Sequence, residues 1–334
     1  MNRINQLTEI HQSGKPYIIY KSQKGFDLYT DFSKKIILNN KNIKSFLSKK
    51  NKRNLKNTDI FIGFFGYELL NNLIDIKVPN QTNLNFPKGI FYKPEKKIKL
   101  SNKLNYNKKS FKSGQFKINI NKKTYTKIFN KFQKKIKSGE TYQIKICTKY
   151  KTKSKINPLD FFSRLSSTNL APEAFMIKDN NYSIISCSPE NLITKKGTDI
   201  STKPIAGTVK KTKNLDKKKA LSYFKKNIKE NKEHNMIVDM ERNDLSRICK
   251  IGSVKLSKQK IVEEYKDLFH YVSLIKGKLK KNISNLEIIK AMMPGGSVIG
   301  CPKINTLNLL NNQEKENRNI YTGSFGYIKF NGDM

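Results

Sequence analysis

The segment E-N-K-E-H-N-M-I-V-D-M-E-R-N-D, residues 230–244, places Met236, Ile237 and Met240 at helical spacing, which predicts an amphipathic helix. On that helix Glu230, Glu233, His234 and Ile237 fall at i, i+3, i+4 and i+7, a single face. Two carboxylates one turn apart beside a histidine suit a hard divalent cation or acid–base work. An isolated E-x-x-E is most often a solvated charged face, so the meaning of this segment depends on what accompanies it.

The chain has 334 residues and is 37% hydrophobic, with 15 Tyr and 19 Phe, enough to bury a core and to exclude global disorder. No run approaches the length of a membrane span and no apolar segment follows a basic N-terminus, so neither a membrane span nor a signal peptide is expected. The formal net charge is +41, yet only six of the 67 basic residues are Arg. Lys is spread over nearly every segment together with Asn and Ile, the mark of an A/T-rich coding bias. A nucleic-acid interface would instead cluster charge and use Arg for bidentate contacts. A uniformly cationic surface does favour encounter with small anions. Cys147, Cys187, Cys249 and Cys301 are widely separated with no C-x-x-C, which suggests neither zinc nor disulfides, as in a cytoplasmic protein.

Around the opening helix the periodicities place strands at Asp59–Leu70, Tyr142–Ile146, Glu173–Ile177 and Ser183–Ser188. A hairpin turns at Lys196-Gly197, and Leu268, His270, Val272 and Leu274 alternate on one face of a strand. Helices are expected from Lys123 to Gly139, over Leu159–Leu165 and over Ile304–Leu310, with a linker at 101–118. Residues 1–58 read as strands and loops. Helices and strands do not alternate regularly, so an α+β fold with large antiparallel sheets is predicted.

The motifs S-G-E-T-Y-Q (138–143), S-P-E (188–190), P-I-A-G-T (204–208), K-E-N-K-E-H-N-M-I-V-D-M-E-R-N-D (229–244), H-Y-V-S (270–273), P-G-G-S-V-I-G-C-P-K (294–303) and Y-T-G-S-F-G-Y (321–327) follow one another in a set order. This order resembles the chorismate-utilising enzymes, and within them component I of anthranilate synthase and of aminodeoxychorismate synthase. The resemblance implies two large antiparallel sheets packed as a sandwich with helices outside, and a site between them for chorismate and Mg²⁺. It divides the chain into an N-terminal region, 1–118, and a chorismate-binding catalytic domain, 119–334.

By this resemblance Glu233 is a direct Mg²⁺ ligand and Glu230 acts through water. Glu190 is the general acid/base, and His270 assists departure of the ring hydroxyl. Gly207 and Thr208 hold the ring carboxylate, Ser297 adds a hydroxyl donor, and Tyr321 contacts the enolpyruvyl carboxylate. Each has a physical rationale: a dicarboxylate that loses a hydroxyl requires anion binding, a metal and proton donors. His234 reads as structural or surface, and Arg242, Asn243 and Asp244 as packing or capping groups.

Ala206 bears on the product. Relatives making aminodeoxychorismate usually carry a nucleophilic lysine there, and a methyl group cannot replace it. Alanine points to direct ammonia addition, giving anthranilate and pyruvate, the first committed chemistry of tryptophan biosynthesis. The wording S-C-S-P-E, N-L-A-P-E-A-F and P-G-G-S is closer to the aminodeoxychorismate branch of folate biosynthesis. Lys145, two residues beyond Gln143, keeps a water-adding isochorismate or salicylate synthase in view, and a non-catalytic basic binding protein is the remaining alternative. No cysteine sits in a glutaminase context, so a separate glutamine amidotransferase subunit would supply ammonia. The family continues past N-G-D-M (331–334) into an I-R-T arginine and a second acidic pair. Residues 1–334 are therefore expected to be C-terminally truncated, with half a metal site and little activity alone.

Overall fold

The computed structural model describes residues 3–22, 24–48, 56–76, 86–102, 104, 113–168 and 171–334. It opens with helix α1 (Arg3–Gln12) and strands β1 (Tyr17–Ser22) and β2 (Gly25–Ile37). Helix α2 (Ile43–Leu47), β3 (Ile60–Phe65), α3 (Tyr67–Leu73) and β4 (Gly89–Leu100) follow. Next come β5 (Lys117–Ile118), α4 (Lys122–Lys137), β6 (Gln143–Ile144), β7 (Tyr150–Lys151) and α5 (Pro158–Thr168). Five strands run in succession: β8 (Glu173–Lys178), β9 (Ser183–Ser188), β10 (Asn191–Lys196), β11 (Asp199–Lys203) and β12 (Ile205–Lys210). Helices α6 (Lys217–Lys226) and α7 (Ile228–Ile248) lead to β13 (Lys255–Glu264) and β14 (Leu268–Lys278). The last elements are α8 (Asn285–Met292), α9 (Gly296–Ile299), β15 (Gly300–Cys301), α10 (Lys303–Gln313) and β16 (Ser324–Lys329).

Seven strands form one antiparallel sheet in the order β16-β3-β4-β2-β1-β8-β9. Alternation along them divides two cores. Tyr17, Ile19, Phe26, Leu28, Ala174 and Met176 face α1 and α5 through Leu7, Leu159 and Phe162. The intervening Ile18, Tyr29, Phe175 and Ile177 face the opposite side. There Phe325 of β16 stacks on Phe175 of β8 with ring centroids 3.7 Å apart, although four strands lie between them. In a flat sheet those strands would stand about 24 Å apart at ~4.8 Å per step, so the sheet is strongly curled. β3 and β4 cross closely at Gly63, where a Cβ would overlap the Ile90 carbonyl.

A second antiparallel sheet is built on β14, which pairs with β11, β12 and β13, while β10 pairs with β11. Phe224 of α6 packs on Phe269 and Tyr271 of β14, and Val238, Leu245 and Ile248 of α7 pack on Ile200 and Ile275. The sheets are joined where Leu192 and Ile193 of β10 meet Phe65, Leu69 and Phe91. The chain crosses the same way after β16, and Met334 exchanges backbone hydrogen bonds with Lys195 of β10 at 2.8 and 3.2 Å. Elsewhere the sheets are separated by a cavity of about 1700 Å³ lined by Asp27, Lys97 and Glu173 on one side and Lys203, Glu263 and Tyr265 on the other. The α+β architecture agrees with expectation, with one large curled antiparallel sheet in place of two equal layers of a sandwich.

Several local readings need correction. The apolar run from Asp59 does not stay extended to Leu70: β3 ends at Phe65 and Gly66 becomes the N-cap of α3. Tyr67, Leu70 and Leu73 recur at helical spacing, and Glu68 suits a helix N-terminus; its buried carboxylate accepts from the Arg318 and Asn319 backbone N–H groups at 2.7 and 3.1 Å. The N-terminal region opens with a helix that the reading of 1–58 as strands and loops omits. Residues 103 and 105–112 of the proposed linker at 101–118 lie outside the described residues. The helix from Lys123 forms, yet only Ile128 and Phe132 of its stripe are buried, and Tyr125 and Phe129 are 40% and 46% exposed. Strands from both sides of residue 118 pair within the seven-stranded sheet.

Candidate functional site

Helix α7 begins at an Asn227 N-cap whose side chain accepts from the Glu230 N–H at 3.1 Å, which sets Glu230 in the first turn, where a carboxylate is stabilised. The predicted face then turns toward β12, β14 and β6. Gly207 on β12 has φ +95°, a conformation reserved for glycine, and a Cβ there would lie 2.9 Å from Glu230 Oε2 and from the Phe224 ring. This glycine therefore permits close approach of the Glu230 carboxylate to the β12 backbone. One turn on, Glu233 Oε1 accepts from Gln143 Nε2 at 2.6 Å and pairs with Lys145 Nζ at 3.4 Å. The β6 segment that carries these two is held by its pairing with β15, Gly300 opposite Ile144 and Cys301 opposite Gln143.

Thr208 and His270 are direct cross-strand partners, and Glu263 lies opposite His270 on its other side, so the three share one sheet face. The Thr208 hydroxyl and His270 Nδ1 are 2.9 Å apart. Burial lowers the His270 pKa, opposed by the Gly207 backbone and Glu263, with Lys203 adding to the fall; the ring is thus neutral at physiological pH. Glu263 and Tyr265 connect this face to the large cavity, whose walls carry none of the predicted site residues.

Glu190 occupies the turn between β9 and β10, part-buried, its N–H donating to the Ser188 hydroxyl at 3.3 Å. Burial raises its pKa, while Ser297 as a hydrogen-bond donor, the Ile205 backbone and the Lys145 charge oppose the rise. Lys145 therefore faces both Glu190 and Glu233. Ala206 is buried, and its backbone acts on the His234 ring, whose Nε2 lies 2.7 Å from the Ser273 hydroxyl. Burial depresses the His234 pKa to about 4, in keeping with a structural histidine.

Glu190, Ser297, Ala206, Gly207, Glu230 and Glu233 are thus gathered around α7 and β12, with Thr208 and His270 beside them on β12 and β14. Tyr321 is tied in only indirectly. It is 57% exposed in the turn before β16, its N–H donates to the Arg318 carbonyl at 3.1 Å, and the Arg318 guanidinium reaches the Lys145 carbonyl at 3.0 Å.

Sequence reasoning passed over Glu241 and Lys303. Glu241 continues the Glu233–Ile237 face and is 1% exposed; an acidic residue on a buried stripe was the available signal. Lys303 closes the P-G-G-S-V-I-G-C-P-K motif, and its Nζ lies 2.6 Å from Asp244 Oδ2, with both side chains almost fully buried. Asp244, read as a packing or capping group, is a buried ion-pair partner of Lys303.

Two carboxylates one turn apart fit Mg²⁺, which takes few protein carboxylates and retains water. Among the described residues no group of three or more His, Cys, Asp or Glu side chains is placed to hold a metal ion. Among the same residues no helix is long and apolar enough to cross a membrane.

Comparison with known proteins gives this arrangement its context. A family model described as chorismate binding enzyme matches residues 7–334. The chain is 32% identical over 223 residues to aminodeoxychorismate synthase component 1 of Bacillus subtilis, covering 66% of this chain and 47% of that protein. It is 36% identical over 220 residues to anthranilate synthase component 1 of Arthrobacter globiformis, covering 64% and 41%. The chain thus spans less than half the length of these two relatives. Its fold matches the crystal structure of anthranilate synthase component I from Streptococcus pneumoniae with a TM-score of 0.75 and 23% identity, over 96% of this chain and 80% of that one. Family model, sequence relatives and fold agree, and the chain belongs to the chorismate binding enzyme family.

Proposed function

We propose that this chain is the chorismate-aminating component of a two-subunit synthase, giving anthranilate and pyruvate with ammonia delivered by a glutamine amidotransferase subunit. The observation that carries the reading is the convergence of Glu190 and Ser297, Gly207 and Glu230, and Glu233 with Gln143 and Lys145 around the α7–β12 contact. The dicarboxylate substrate meets hydroxyl donors at Thr208 and Ser297 and a cation at Lys145, the anion-binding groups such chemistry requires. Glu230 and Glu233 would hold Mg²⁺, which as a Lewis acid would neutralise a substrate carboxylate. Glu190, its proton affinity raised by burial, is suited to act as a general acid toward a departing oxygen. Neutral His270, oriented through Thr208, can accept or donate a hydrogen bond at the same ring edge.

Ala206 favours anthranilate, because a buried methyl cannot form the covalent adduct available to a lysine. The B. subtilis relative supports aminodeoxychorismate as the second reading. Lys145, the candidate base for water addition, is engaged with Glu233. Incubation of the complete polypeptide with chorismate, Mg²⁺ and ammonium, followed by chromatographic identification of products, tests the proposal. Anthranilate with stoichiometric pyruvate is expected; aminodeoxychorismate or isochorismate would overturn the assignment of Ala206.

A further inference from the structure

The β13–β14 hairpin ends in a tight turn, closed by the Tyr265 N–H donating to the Leu268 carbonyl at 2.9 Å. Glu263 stands opposite His270 in this antiparallel pair. Tyr265 is two residues further along the same sheet face, the diagonal position from which an aromatic ring reaches a cross-strand neighbour. The rings of Tyr265 and His270 meet edge to face, with centroids 5.0 Å apart and planes at 76°. Tyr265 is fixed from its other end as well. Its hydroxyl donates to Glu263 Oε2 at 3.1 Å, and Lys203 Nζ donates to both Glu263 oxygens at 3.1 and 2.9 Å. Burial, then Glu263, raises the phenol above its ordinary range, so the hydroxyl remains a donor at physiological pH.

Lys203, Glu263 and Tyr265 all line the large cavity between the sheets, whereas His270 does not and is only 8% exposed. The Tyr265 ring thus stands between the imidazole and a space far larger than one water needs. On the neighbouring strand β12 the Thr208 hydroxyl lies 2.9 Å from His270 Nδ1. We propose that Tyr265 is a positioning residue for the reaction, a wall that closes His270 off from cavity water and holds its ring between Thr208 and the Lys203–Glu263–Tyr265 clamp. The catalytic meaning rests on the role proposed for His270; the wall itself does not. Lys203 of β11, Glu263 of β13 and Tyr265 of the turn are the titratable groups that face the imidazole, Glu263 favouring its charged form and Lys203 opposing it. Burial is the largest cause of its lowered pKa, so admitting water has a definite sign. The pKa should rise toward the ordinary histidine value of about 6.5.

The chain has three histidines, so their imidazole resonances can be followed singly by NMR of the full chain, with His270→Gln identifying one of them. In the wild type a nuclear Overhauser effect between the Tyr265 and His270 ring protons is expected, and its absence would overturn the contact. Tyr265→Ala should raise the His270 titration midpoint by about half a pH unit or more, while His234 stays at about 4 and reports an intact fold. Tyr265→Phe keeps the ring and loses only the hydroxyl, so it should shift the midpoint by less than about half as much. Tyr265→Leu, which retains part of the wall, takes the place of the alanine variant if that does not fold. In the amination assay Tyr265→Ala should lower kcat by about tenfold or more with less than about threefold change in KM, and Tyr265→Phe should recover most of the rate. Equal midpoints in wild type and Tyr265→Ala, or equal shifts in the alanine and phenylalanine variants, would overturn the wall. A shifted midpoint in a chain that never aminates chorismate would uphold the wall and refute the reaction assigned to His270.

Discussion

Lys303→Met removes the amine that neutralises Asp244 while keeping an unbranched apolar stem in the same space. The wild-type contact is short, 2.6 Å, and buried on both sides, and the same amine satisfies the Ala291 and Met292 carbonyls. Removing one partner of a buried pair typically costs about 3–5 kcal/mol, because the survivor is left desolvated and uncompensated. That loss is a large share of an ordinary domain stability of about 5–15 kcal/mol. Burial already raises the Asp244 pKa against the pull of Lys303, so in the variant Asp244 should take up a proton more readily still. The loss should therefore be largest at neutral pH and shrink as pH falls. Urea unfolding at pH 7 and pH 5 measures both, with the m-value checking that the transition is unchanged. Replacing both partners, Asp244→Leu with Lys303→Met, should cost less than the sum of the single changes, by about 1–3 kcal/mol of coupling. A loss under about 1 kcal/mol for Lys303→Met at pH 7, or strict additivity in the double variant, would refute the view that this pair is a mutually dependent buried unit.

Three further outcomes follow from the same geometry. Gly207→Ala combines a positive φ with a Cβ 2.9 Å from Glu230 Oε2 and the Phe224 ring, and should destabilise by about 2–4 kcal/mol; denaturation curves indistinguishable from wild type would count against the close approach. His234, depressed to about 4 by burial, is protonated more readily when unfolded, so wild-type stability should decline as pH falls from about 6.5 to about 4 and level off below. His234→Gln should flatten that acid decline in unfolding titrations. Glu233→Gln should raise the Mg²⁺ concentration needed for half-maximal chorismate amination by about tenfold or more, and Glu230→Gln should raise it by less; equal shifts in a Mg²⁺ titration would argue against Glu233 as the direct ligand.

The periodicities of this chain already specify α7, α4, α10, the β10–β11 hairpin and strands β8, β9 and β14, because each is written in local spacing. The resemblance carried by the ordered motifs also names most residues that converge on the α7–β12 contact. The β3–α3 break was less legible, since Ile60–Phe65 and Tyr67–Leu73 form one apolar run and only the role of Gly66 as a helix cap separates them. Tyr321 shows the limit in another way: its motif is recognisable, but its exposure depends on what surrounds the turn before β16.

What sequence alone determines here is the inventory: an α+β chain, a helix face with Glu230 and Glu233, a glycine at 207 and an alanine at 206. Each follows from residue type and near-neighbour spacing. Tertiary structure alone decides that Lys145 reaches Glu233, that Lys303 neutralises Asp244, and that Glu241 is buried against the Thr202 hydroxyl. Glu241 and Thr202 stand 39 positions apart in sequence, and Lys145 and Glu233 stand 88 apart, so they meet only when the chain closes on itself. Burial is the physical reason they matter. A carboxyl's proton affinity depends on the water it loses and the charges it meets, and neither is encoded in its neighbours along the chain.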